Sequence, residues 1–178
     1  MDARDSALPD SRLRRLAAGG LVAGAVLGMA GTFAPSAPLR GLAWGVDGTA
    51  LVVASALLAV HHCRRGNLLA AAGFVVFVAG QALVLSVSAV ALEASAPSLA
   101  AGMSLWAASL AMVGASNVMP VGLRLVGYVG ALLLAVTAGR IFMGTALTPL
   151  SQPLPFFAYP FLAVTLVGWA WVHYRGAA

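Results

Sequence analysis

The sequence predicts an all-α membrane protein, a bundle of six transmembrane helices with its N- and C-terminal ends both in the cytoplasm. Three observations predict it: charge is scarce, the apolar residues fall into six runs of spanning length, and the arginines sort to one side. Of the 178 residues 61% are hydrophobic and 8% charged, where a soluble domain carries about a quarter charged residues because its surface faces water. A chain so poor in charge has to turn its surface towards hydrocarbon. Each apolar run approaches the ~20 residues that a helix rising 1.5 Å per residue needs to cross ~30 Å of lipid. Barrel strands would alternate in polarity over ~10 residues, and these runs do not.

Residues 1–15 are polar and read as a cytoplasmic tail that ends in a basic anchor, Arg12, Arg14 and Arg15. Residues 16–175 form one transmembrane domain. Its first helix is expected over 16–33; a charged start and small residues near Ala34 give it the outline of a secretory signal, but its length and the runs behind it favour a retained helix. A loop with Pro35, Pro38 and Arg40 leads to the second helix, 44–62, which stops at Arg64 and Arg65. The third is expected over 67–91, with Glu93 and Pro97 in its exit turn, and the fourth over 98–116, ending at Asn117 and Pro120. The fifth covers 123–142. A longer loop with Pro149 and Pro153 precedes the sixth, 156–174, in which Pro160 predicts a kink one turn in.

Arginine placement orients the chain. All ten basic residues are arginine, and with the N-terminus inside, Arg4, Arg12, Arg14, Arg15, Arg64, Arg65, Arg124 and Arg175 lie inside. Only Arg40 and Arg140 remain outside, which is a positive-inside pattern. The chain is therefore read as a multi-pass protein of a bacterial cytoplasmic (inner) membrane. The formal charge of +5 does not point to nucleic acid, because the arginines sit between apolar runs and make no basic stripe. The partner is the lipid bilayer, together with another membrane protein or a second copy.

Leucine gains little by hiding from lipid, so close packing has to hold such helices together. Gly20, Gly24 and Gly28 share one face of the first helix, and Gly127, Ala131, Ala135 and Gly139 share one of the fifth. Both stripes are expected to pack against neighbouring helices, with self-association through the Gly20 face as the alternative.

Polar groups inside the membrane are costly and mark candidate sites. Counted from the inner arginines, Thr32, Asp47, Gln81, Arg140 and Tyr159 fall in one outer-leaflet layer, roughly 24–26 Å up. Asp47 and Arg140 are the opposite charges at that depth and are expected to pair, fixing the second helix to the fifth. The same five residues are the candidate ligand-binding set, with Arg140 facing an anion. At the inner end His61, His62 and His173 are weak candidates for metal or haem ligation; imidazoles at helix exits are usually interfacial, so no cofactor is expected. No phosphate loop, His-Glu-x-x-His or Gly-x-Ser-x-Gly occurs, and no catalytic residue is assigned. Cys63 rules out an intramolecular disulfide, since it has no second cysteine.

The function expected is a non-catalytic membrane component or accessory subunit. The alternatives are a small transporter or channel with a polar site in the outer leaflet, and a haem or redox membrane protein.

Overall fold

The computed structural model describes residues 10–87, 91, 93–145 and 158–176. Among them the chain forms six α-helices and no strand: α1 Asp10–Thr32, α2 Ala37–Arg64, α3 Leu68–Leu85, α4 Ala96–Ala115, α5 Val121–Phe142 and α6 Ala158–Arg175. Helices α1 to α5 are each long and apolar enough to cross a membrane. The chain is a multi-pass membrane protein by that measure, and its surface agrees. Leu16, Val26, Leu42, Val75, Leu132 and Val164 all point outward with more than half of their surface exposed. A soluble monomer does not display apolar residues around its whole girth.

Three boundaries differ from the sequence reading. Helix α1 starts at Asp10 rather than after Arg15, because Asp10 and Arg14 lie one turn apart, pair with each other at 3.3 Å, and are further held by histidines described below. The expected loop before the second helix shrinks to residues 33–36. There Ser36 caps α2 by accepting from the Leu39 amide, and Pro38 occupies the first turn, where its missing N–H costs nothing. Helix α3 ends at Leu85, well before residue 91, with Ser86 as its cap. Pro149, Pro153 and Phe156 lie outside the described residues.

The helices form a closed ring in chain order. Each touches its sequence neighbours, and α6 packs on α1 to complete the circle. The α2–α3 turn is tight because Gly66 adopts a left-handed φ of 76°. Small residues set the spacing of the walls. A methyl on Gly20 would meet Ala54 Cβ at 2.9 Å, one on Gly24 would run into the Leu51 side chain, and one on Gly28 would meet Asp47 Oδ2 at 3.0 Å. The whole Gly20 stripe is thus spent on α2 within the chain. On α5 the expected stripe divides: Gly127 and Ala131 are buried, whereas Ala135 is exposed and Gly139 has open space beside it. The tightest reciprocal approach is one the sequence reading did not single out. Gly80 of α3 and Gly102 of α4 face each other, each Cβ position within 2.9 Å of the other's carbonyl.

Side chains fill the middle of the ring from opposite walls. Helices α3 and α6 make no backbone contact, yet Phe74 and Trp169 meet at 5.0 Å between ring centroids and Phe77 and Trp169 at 6.2 Å. With Leu58 and Leu166 they form an apolar plug, all nearly or fully buried. The plug separates two polar regions, one at each end of the bundle.

Candidate functional site

The region beyond the plug, towards the α1–α2 turn, holds a cavity of about 120 Å³. Gly24 and Gly28 of α1 leave it room, Asp47 and Trp44 of α2 and Trp106 of α4 wall it, and Tyr159 of α6 closes its side. The rest of the lining is mainly apolar. Asp47 is 9% exposed, and among the described residues it has neither an ion pair nor a hydrogen bond; its Oδ1 is buried without a partner. The Trp106 indole N–H, also on the cavity wall, is a buried donor without an acceptor.

The five residues expected to share one layer separate once their direction is known. Asp47 and Tyr159 come together on the cavity wall. Gln81 is 1% exposed and stands next to them, its Nε2 3.0 Å from the Cβ position of Gly48 and its Oε1 unpartnered. Thr32 turns back on its own helix, donating to the Gly28 carbonyl at 2.9 Å. Arg140 is the correction. It is exposed near the end of α5, a helix that shares no contact with α2, so the expected ion pair with Asp47 does not form. Residue counting addresses height along a helix and not bearing around the ring, and the ring puts α2 and α5 on different sides. A long arginine at a helix end reaches the headgroups without needing a counterion in the core.

The opposite end carries a polar cluster whose members sequence reasoning only partly assembled. His61, His62 and His173 have no exposed surface. His61 Nδ1 lies 2.7 Å from Asp10 Oδ1, His62 Nε2 lies 2.9 Å from His173 Nε2, and His173 Nδ1 bonds the Trp169 carbonyl at 2.6 Å. Arg14 donates to the His173 carbonyl at 3.1 Å. Phe74 stacks flat on His62, 5.5 Å between centroids. The cluster therefore ties α1, α2 and α6 where the ring closes. His62 Nε2 and His173 Nε2, 2.9 Å apart, share a hydrogen bond, closer than the roughly 3.3 Å at which a tetrahedral metal with bonds of ~2 Å would hold two nitrogens. Among the described residues no group of three or more potential ligands is arranged to hold a metal ion. Asp10 was the missed member. Its signal was available, an acid four residues before Arg14 at the mouth of an apolar run.

With this geometry in hand, comparison of the chain with protein-family models, curated proteins and solved structures finds no match.

Proposed function

We propose that the chain is a non-catalytic multi-pass component of a bacterial cytoplasmic membrane whose outer-half cavity binds a small ligand. The observation that carries the reading is Asp47, a buried carboxylate without a partner among the described residues, on the wall of an aromatic-lined cavity. Buried polar groups in native proteins nearly always have partners, and an orphan on a cavity wall points to an occupant. The orientation proposed, both ends inside, follows the arginine asymmetry. The described ends of α1 and α6 agree with an even number of crossings, because Arg14 reaches the His173 carbonyl.

Binding is favoured over conduction. The Phe74, Phe77 and Trp169 plug fills the ring between the cavity and the histidine end, and a packed aromatic layer offers no polar path. The cavity-binding role fits both a ligand-sensing accessory subunit and the first site of a small transporter.

The test is a panel of small molecules screened for thermal stabilisation of the purified protein in lipid nanodiscs. Gly45 borders both the cavity and the outer α1–α2 groove and has open space at its Cβ position, so the Gly45→Phe ring should meet no neighbour at Cβ and should reach the cavity. Ligands that raise the unfolding midpoint of the wild type should lose the effect in that variant. A stabilising ligand that ignores Gly45→Phe, or a panel with no stabiliser at all, contradicts the reading.

A further inference from the structure

Resting on the cavity reading, we infer that the ligand is a small organic cation, an ammonium ion with a compact apolar body whose charge is received by Asp47. Charge and shape both point to a cation. A carboxylate removed from water is costly unless a counter-charge meets it, and among the described residues no arginine lines this cavity. Arg40, the basic residue nearest in sequence, does not line the cavity, and its Nε is buried without a partner. It donates to the Ala34 carbonyl at 3.2 Å and lies 6.0 Å from the Trp44 ring. An anion would find no charged partner among the described lining residues, and a neutral ligand would meet Asp47 as the protonated acid, so a cation is the ligand that recruits its charge.

The walls suit a cation as well. Trp44, Trp106 and Tyr159 border the space around Asp47, and aromatic faces attract cations, most strongly when water is excluded. Size limits the ligand. An apolar cavity of about 150 Å³ accepts benzene, so the 120 Å³ here admits a body of roughly that size, with the charged group at its Asp47 end. The same chemistry is carried by free primary amines and by the ethanolamine headgroup of a lipid.

The experiment compares benzylammonium with its near-isostere benzyl alcohol on the wild-type protein in nanodiscs of phosphatidylglycerol, by calorimetry or thermal shift. A buried charge pair contributes enough that the cation should bind at least about thirtyfold more tightly. In Asp47→Asn that preference should fall to about threefold or less. Equal binding of the two probes to the wild type overturns the cation and leaves the cavity reading standing. Failure of both probes to bind overturns the two together. Because the isosteres are compared on the unmodified protein, the result does not depend on whether Asp47→Asn folds. A second arm replaces half of the lipid with phosphatidylethanolamine. Weakened benzylammonium binding in that arm identifies the headgroup amine as the natural occupant, and unchanged binding identifies a free amine.

Discussion

Hydrogen-bond direction assigns a tautomer to each histidine of the cluster. A carbonyl only accepts, so His173 Nδ1 carries the proton it gives to Trp169. In the neutral ring His173 Nε2 is then bare, and His62 Nε2 must donate across their 2.9 Å contact. His61 likewise donates from Nδ1 to the Asp10 carboxylate. Nitrogen-15 NMR of histidine-labelled protein should therefore find the proton on Nδ1 in His173 and on Nε2 in His62; the reverse pattern would dismantle the chain of bonds described here. Energetically the cluster matters because it is buried. His173→Phe removes both bonds and leaves His62 Nε2 a buried donor without an acceptor, which should cost about 1–3 kcal/mol in denaturant unfolding. Cys63→Ser, at an exposed position on the same helix as His62, should change stability little. The sequence showed three histidines near one depth. It did not show that they turn inward, because an imidazole next to Arg64 and Arg65 is just as compatible with the headgroups.

Helix faces tell a similar story at the next scale. Four-residue spacing says that Gly127, Ala131, Ala135 and Gly139 share a stripe, but at about 100° per residue each step of four turns the stripe by about 40°, roughly 120° from Gly127 to Gly139. The two inner members meet neighbours while the two outer ones turn away. Substitutions should separate the two kinds of glycine. Gly80→Ala sets a methyl against the Gly102 carbonyl, which is backbone and cannot step aside, so α3 and α4 must part at a cost of about 1–3 kcal/mol. Gly139→Ala meets open space and should be neutral or slightly stabilising in the same unfolding assay. Equal effects of the two changes would mean that the α3–α4 approach is looser than the Gly80–Gly102 geometry implies.

For the whole molecule, the number of helices was legible in the sequence, since apolar run length reports spanning segments. Position around the ring was not. That is why Asp47 and Arg140 paired on paper and stand apart in the fold, and why the cavity between Asp47, Trp106 and Tyr159 could not be drawn from spacing alone. Topology remains checkable by fusing reporters to Ala178 and near Ser95. A cytoplasmic C-terminus with an external Ser95 loop is expected, and an external C-terminus would remove an odd number of crossings from the account. Its central claim is narrower: a buried, unpaired carboxylate faces a ligand-sized cavity within the bundle. The most direct measurement is labelling of the membrane-reconstituted protein with an apolar carbodiimide, which enters lipid and couples to carboxyl groups there, followed by peptide mass spectrometry. Asp47 should be modified in the wild type and protected in Gly45→Phe, where the ring reaches the cavity. Labelling that spares Asp47, or that proceeds equally in both proteins, would contradict the claim.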